Sequence, residues 1–473
     1  MTNNIEFNSD PAAVPIWPVR NRDLGAWQTD HPGSMSAWCK SNDFTAAAGK
    51  FLTLPGDDGK LAGVLLGLGD GGEKTRDYWS FGSLANALPA GLYRVEGDLS
   101  PIQADHAALA WAQAAYRFTR YRSENADSSR GGDGDGDDTA RLCLPENADG
   151  AYLQGTIKGS FLARDLINTP ASDMGPEELA DAALALAAEF DADASVIVGE
   201  DLLAENYPAI HAVGRASTRP PRLIDFRWGD AGAPRLTLVG KGVCFDTGGL
   251  DLKGAAGMLK MKKDMGGAAT VLGLAAMIMA AKLPVALRVL IPSVENSVAG
   301  NAYRPGDVLA TRKGLTVEVG NTDAEGRIVL CDALAEADSE NPDLIIDVAT
   351  LTGAARVALG QDLPAIFTGS DDLAADLIRL GEELDDPTWR LPLFAPYYDR
   401  LKSKTADLNN VSDGPMGGAI TAALFMEAFV SQSDRWLHLD SYGWNDRDRP
   451  GRPSGGDGLA MRALFALIKE RFA

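Results

Sequence analysis

The stretch GLTVEVGNTDAEGRIVLCDALAEADSENPDLIIDVATL, residues 314–351, decides the fold. It opens on an apolar, β-branched run, GLTVEVG, and closes on a second, DLIIDVATL. Between them IVLCDALAEAD carries apolar residues at helical spacing. Strand, helix and strand in that order are the unit of a layered α/β sheet. The same alternation lies upstream: RLTLVG, then the uncharged run MGGAATVLGLAAMIMAA (Met265–Ala281), then ALRVLIP. The Met265 run is short for a membrane span and rich in small residues, so it reads as a buried helix. KGSFLARDLINTP and PEELADAALALAAEF add two more helices, the first stopped by Pro170.

The N-terminal part reads differently. It mixes short apolar runs such as LAGVLLGLG with a helical run, DHAALAWAQAAYRF, and has no dense polar cluster. The expected fold is therefore α/β with two domains. A smaller N-terminal α/β domain takes residues 1–150. A larger one, residues 151–473, has a central, mostly parallel sheet flanked by helices. RSENADSSRGGDGDGDDTARL reads as a flexible Gly/Asp-rich insertion near 122–140. A calcium loop is excluded there, because Asp138 stands where the sixth-position Gly is needed and Leu144 where the closing Glu is needed.

The chain has 473 residues, 66 acidic against 44 basic, and a formal net charge of −22. That surface argues against nucleic acid or an anionic membrane as a partner. The first residues have neither a basic nor an apolar signal region, and the four cysteines (Cys39, Cys143, Cys244, Cys331) form no CxxC. A cytoplasmic location is expected.

In parallel sheets, ligands sit beyond the carboxyl ends of the strands. Three polar loops follow apolar runs: KGVCFDTGGLDLK after RLTLVG, NTDAEGR after GLTVEVG, and ATLTGAA after DLIIDV. With KMKKDMGGAAT they carry four carboxylates, Asp246, Asp264, Asp323 and Glu325. Four converging carboxylates would raise one another's pKa, and two divalent ions remove that conflict. Each residue also has a plainer reading. Asp246 would cap a turn, Asp264 and Asn321–Asp323 would start helices, and Lys241 and Lys253 would be surface lysines. The phosphate-loop pattern fails at Arg235 and Gly242, the dinucleotide pattern fails at Phe245, and no GxSxG occurs.

NTDAEGRIVLCDAL, KGVCFDTGGLDLK, MLKMKKDMGGAAT and VATLTGAARVALG together resemble the leucyl aminopeptidase (cytosol aminopeptidase) family. ARDLINTP, VGRASTRPPRLI, SKTADLNN, GGAITAALFMEAFV and WLHLD extend the resemblance over roughly residues 155–473. It implies a catalytic metallopeptidase domain that removes the N-terminal residue of peptides. It implies two divalent ions, Mn²⁺ or Zn²⁺. One is held by Asp246, Asp323 and Glu325. The other is held by Lys241, Asp246, Asp264 and Glu325. A hydroxide bridged by the two metals would attack, Lys253 would steady the oxyanion, and Arg327 would hold a bicarbonate. The side-chain pocket would include Met261, Thr350, Leu351 and Gly353 and favour Leu or another apolar first residue. A hexamer is implied as well. The sequence departs from the family at Ser172, where many relatives have Asn, and along SYGWNDRDRPGRPSGGDGLAMRAL, which contributes to that pocket. A two-metal phosphohydrolase would make poor use of a lysine ligand, and a non-catalytic scaffold would not keep Lys253 and Arg327.

Overall fold

The computed structural model describes residues 4–70, 75–123 and 139–473. Most of the Gly/Asp-rich insertion lies outside them. The chain divides into two compact units, Met1–Ile157 with Asp446–Ser454, and Lys158–Asn445 with Gly455–Ala473.

The first unit holds β1 (Ile5–Glu6), β2 (Val14–Arg20), β3 (Phe51–Pro55), β4 (Leu61–Gly69), β5 (Gly91–Val95) and β6 (Ala140–Cys143). They form one sheet in the order β1-β6-β5-β2-β4-β3, parallel except for β3 against β4. The expected run LAGVLLGLG is β4, buried from Gly63 onward. The helical run begins earlier than expected, at Pro101, where the side chain of Gln103 accepts the Ser100 amide at 3.0 Å, and it ends at Ala115. Nothing in the sequence marked Asp446–Ser454 as part of this unit. Arg452 lies over the Trp79 ring at 4.8 Å there.

The second unit contains β7 (Asp193–Val198), β8 (Arg222–Trp228), β9 (Arg235–Gly240), β10 (Gly242–Asp246), β11 (Ala286–Asn296), β12 (Val308–Ala310), β13 (Thr316–Glu318), β14 (Leu344–Ala349), β15 (Ala365–Phe367), β16 (Trp389–Arg390), β17 (Leu408–Asn409) and β18 (Trp436–Asp440). The main sheet runs β16-β15-β18-β14-β9-β11-β8-β7, with β10 also paired to β11. Its middle, β18-β14-β9-β11, is parallel, and antiparallel pairings lie towards the edges. RLTLVG, ALRVLIP and DLIIDVATL supply β9, β11 and β14, as their unbroken apolar runs require for strands covered on both faces.

GLTVEVG does not join that sheet. Only Thr316–Glu318 is strand, and it sits in a small sheet of order β12-β13-β17. Its pattern explains why. β13 buries only its central residue, whereas β14 is buried at all six positions. An alternating run suits a half-covered sheet. A turn through Gly314 (φ +88°), whose amide donates to Thr311 O at 2.9 Å, folds it antiparallel onto β12 instead.

The Met265 run forms the helix Gly266–Ala280, buried at every residue but the last. With the turn before it, Met261–Ala280 is long and apolar enough to cross a membrane, but 94% of its apolar window is buried inside the protein. Glycine lets it approach the sheet closely. A Cβ on Gly267 would fall 2.1 Å from Val348 O. The helix thereby sets its preceding segment, with Asp264, beside the end of β9.

Candidate active site

Lys241 follows β9 directly and is 2% exposed. Its Nζ lies 2.7 Å from Asp264 Oδ2 and 2.9 Å from Glu325 Oε1, and it donates to Thr350 O at 3.1 Å. Burial works to lower its pKa, but Asp264, Glu325 and Asp246 outweigh burial and hold it raised. Asp246 ends β10. Its Oδ1 accepts Gly248 N and Asn296 Nδ2, each at 2.8 Å, and its Oδ2 faces Lys253 Nζ at 2.7 Å. Lys253 also reaches Asp323 Oδ1 at 2.6 Å. Asp264 sits in the short 3-10 helix Met261–Met265, and Glu325 is the first residue of the helix Glu325–Ser339. The sequence therefore brings the two lysines and four carboxylates together at one end of the parallel strands.

The two helix-start readings fail on geometry. Residue 324, not 321–323, precedes the helix Glu325–Ser339, and no side chain caps it. Met265, not Asp264, precedes the helix Gly266–Ala280. Asp246 does brace the turn through Gly248, but only with one oxygen.

Only two lysines lie in contact with the four carboxylates. Burial, then the neighbouring carboxylates, pushes Asp246 and Glu325 above their ordinary range. Glu325 Oε2 is buried with no hydrogen-bond partner. Asp264 Oδ2 is met by the Lys241 ammonium alone, at 2.7 Å. Buried carboxylate oxygens without donors are costly unless a cation takes them. Ligand atoms of Asp246, Asp323 and Glu325 lie within 4.8 Å of one another. This donor set fits a divalent metal that prefers oxygen ligands. The cluster opens on one side only. The Lys253 and Asp323 side chains are 17% and 34% exposed, whereas those of Lys241 and Glu325 are 3% and 2% exposed.

Arg327 donates from Nη1 to Asn410 O at 2.7 Å, while its buried Nε has no partner. Burial lowers it to about 10. Of the expected pocket residues, Thr350 is buried, Met261 and Leu351 are partly covered, and Gly353 is exposed.

Several residues that hold the site carried no expectation. Thr322 locks the two loops together, its hydroxyl donating to Gly248 O at 2.6 Å and accepting from Asp251 N at 2.8 Å. Its carbonyl accepts from Asn296 Nδ2 at 3.0 Å and Tyr303 Oη at 2.6 Å. Asn410 braces NTDAEGR from below, its Oδ1 accepting Gly320 N and its Nδ2 donating to Asn321 O, both at 2.7 Å. Asn296 ends the largely apolar run ALRVLIPSVEN, which was the available signal; Asn410 follows a two-residue strand in a polar stretch and offered none. Gly326 has a steric reason, since a Cβ there would meet Lys241 Cε at 2.5 Å.

Thr350 proves to be an anchor: its hydroxyl donates towards Asp264 Oδ1 at 2.8 Å and Asp264 O at 3.0 Å. Thr350→Val keeps the shape and removes that donor. Metal affinity is expected to fall about 10–100-fold, measured by titration of Mn²⁺ into apo protein. Unchanged affinity with an altered substrate preference would assign Thr350 to the pocket alone.

The model of the "Cytosol aminopeptidase family, catalytic domain" matches residues 161–465, and that of the "M17 aminopeptidase, N-terminal domain" matches residues 14–131. The chain belongs to the cytosol aminopeptidase family. This is a family of metallo-hydrolases. A probable cytosol aminopeptidase from Syntrophotalea carbinolica is 44% identical over 316 residues, 66% of this chain and 63% of the relative. A peptidase B from Pectobacterium carotovorum is 43% identical over 332 residues, 68% of this chain and 76% of the relative. The match to the first of these thus spans under two thirds of its length. Among solved structures, a cytosol aminopeptidase from Coxiella burnetii superposes with TM-score 0.92 at 47% identity, covering 99% of this chain and 100% of the other. A bottromycin maturation enzyme in complex with Mn superposes with TM-score 0.86 at 31% identity, covering 98% and 100%. Both solved structures thus share the two-domain α/β fold found here.

Proposed function

We propose that this chain is an aminopeptidase that hydrolyses the first peptide bond of peptides, with Leu or another apolar residue preferred at the N-terminus. The observation that carries this is the convergence of Lys241, Asp246, Asp264, Asp323 and Glu325, with the buried Glu325 Oε2 left without a donor. Family membership supports it. Lys241, Asp246, Asp264 and Glu325 would hold one divalent ion, and Asp246, Asp323 and Glu325 a second. Two such ions, Mn²⁺ or Zn²⁺, supply Lewis acidity and a water made nucleophilic at neutral pH.

The remaining work belongs to the chain. Lys253 is the more exposed of the two lysines in the cluster, so its ammonium is placed to stabilise negative charge growing on the scissile carbonyl oxygen. Arg327 cannot act as a base, but its unpartnered buried Nε suits a bound bicarbonate that can. Met261, Thr350, Leu351 and Gly353 would line the first-residue pocket. A homo-oligomer, a hexamer by resemblance, a cytoplasmic location and peptides as the sole partners belong to the same reading.

The test compares apo protein with protein given Mn²⁺ or Zn²⁺ on leucine p-nitroanilide and on other aminoacyl anilides. Metal-dependent release supports the reading and ranks the metals. Intact folded protein that cleaves none of them would sink it.

The lysine ligand gives this reading a pH signature. Lys241 has a raised pKa in the ion-free cluster, so it is an ammonium there at neutral pH. As a ligand it must lose that proton; from an ordinary lysine this costs roughly 4–5 kcal/mol at pH 7. Metal binding is therefore expected to release a proton. Its affinity should weaken by about tenfold per unit as pH falls. Calorimetry in two buffers of different ionisation enthalpy measures the released proton directly. A pH-independent affinity near neutrality would remove Lys241 from the ligand set.

A further inference from the structure

Two cations near the cluster make no ion pair among the described residues, although Asp264 and Asp440 lie near enough to Lys263 to favour its charged form. Lys263 is 5% exposed, and its Nζ lies 4.7 Å from the Tyr442 ring centroid. Arg356, exposed on the helix Gly353–Leu359, lies over the same ring at 4.8 Å. Neither has a carboxylate within ion-pair distance among the described residues. The nearest candidates are engaged elsewhere. Asp264 pairs with Lys241 and accepts from Thr350. Asp440 accepts Leu351 N at 3.0 Å, Thr352 N at 3.1 Å and Thr352 Oγ1 at 2.6 Å. Two like charges on one aromatic ring repel each other. Burial, the largest influence, disfavours the Lys263 ammonium, and Asp264 and Asp440 offset that only in part, so its pKa stays below that of an ordinary lysine.

The local backbone shows where a further counter-charge would come from. Met261–Met265 is a 3-10 helix, so residues three apart lie on one side. Met261 and Asp264 therefore share the side towards the cluster, and Lys263 stands a third of a turn away. Lys262 turns in another direction, donating to Asn168 O at 2.5 Å. Gly443, beside Tyr442, packs on Thr350, where a Cβ would meet Thr350 Cγ2 at 2.9 Å. The stack thus borders the residues assigned above to the first-residue pocket, within the segment where the sequence departs from its relatives.

We propose that Lys263 and Arg356, set about the Tyr442 ring, form a carboxylate-recognising subsite beside the metal-ligand cluster. This rests on the aminopeptidase reading and extends it. The carboxylate is either the acidic side chain of a first residue Asp or Glu, or the free C-terminus of a short peptide. An incoming carboxylate supplies the anion that both cations lack, and a neutral isostere does not.

The experiment uses the manganese-loaded full chain. One arm compares glutamate and aspartate p-nitroanilides with the glutamine anilide, and leucine p-nitroanilide serves as reference. The other compares Leu-Gly with Leu-Gly amide. In one arm, kcat/KM for the charged substrate is expected to exceed that for its neutral partner by about tenfold or more. Lys263→Met should erase that ratio, Lys263→Arg should retain it, and Arg356→Gln, on an exposed position, should reduce it. The arm that shows the ratio identifies the source of the carboxylate. Equal rates for charged and neutral members in both arms overturn the subsite and leave the aminopeptidase reading standing. A ratio that survives Lys263→Met also overturns it. Failure to cleave any substrate, leucine included, overturns the parent reading and the subsite with it.

Discussion

Asp323→Ala is expected to abolish metal-dependent release of p-nitroaniline from leucine p-nitroanilide, by a factor on the order of 10³ or more. Asp323 is the ligand-set carboxylate on the open side of the cluster, one third exposed, and it shares Lys253 with Asp246. Its removal takes away one of the three groups whose ligand atoms converge within 4.8 Å. The fold should tolerate the change. The backbone of the loop is held by Thr322, Asn410 and the bond from Asp323 N to Asn321 Oδ1 at 2.7 Å, none of which uses the Asp323 carboxylate. Circular dichroism and thermal melting should therefore match the parent while activity is lost. Activity retained within about tenfold would show that Asp323 is not a ligand.

Lys253→Met should act in two separable ways. In saturating metal, kcat should fall about 10²–10³-fold, the usual cost of one donor aimed at a developing oxyanion. Without metal, the variant should also be less stable. It leaves Asp246, which is buried, without the ammonium 2.7 Å away. Breaking a buried pair costs about 3–5 kcal/mol, and the exposure of Asp323 and Lys253 reduces that to roughly 1–3 kcal/mol. The sign with pH is set by the raised Lys253 pKa: Asp246 and its hydrogen bonds outweigh the opposing effect of burial. This stabilisation is complete at neutral pH and is lost only as pH rises through the folded value. Metal supplies the missing counter-charge, so the stability gap should close on adding Mn²⁺ while the kcat defect persists. A kcat defect that also vanishes at high metal would reduce Lys253 to a role in metal retention.

Thr350 and Gly326 show how the ligand residues depend on neighbours that a motif does not name. Thr350 lies after β14 and fixes Asp264 across the site, and Gly326 leaves the space that the Lys241 side chain crosses. Asn296 and Asn410 reach the two ligand loops from the ends of β11 and β17. Neither pairing is visible in sequence spacing, because the partners are 50 and 89 positions or so away along the chain.

The sequence by itself determined the parts that depend on local pattern. Continuous apolar runs made β9, β11 and β14 doubly covered strands, and an uncharged, small-residue run made the buried helix Gly266–Ala280. The segments after β9, after β13 and just before that helix carried the titratable residues of the cluster. Tertiary structure alone decided what depends on partners distant in sequence. It sent β13 to a separate small sheet, because a three-residue strand with one buried position pairs more readily with its hairpin neighbour than with the centre of a parallel sheet. It placed Asp446–Ser454 with the first unit. It also set Lys263 and Arg356 on one ring with no acid in ion-pair contact among the described residues. Charge balance is a sum over space, and the identity of the residues along the chain does not fix that sum until the chain has folded.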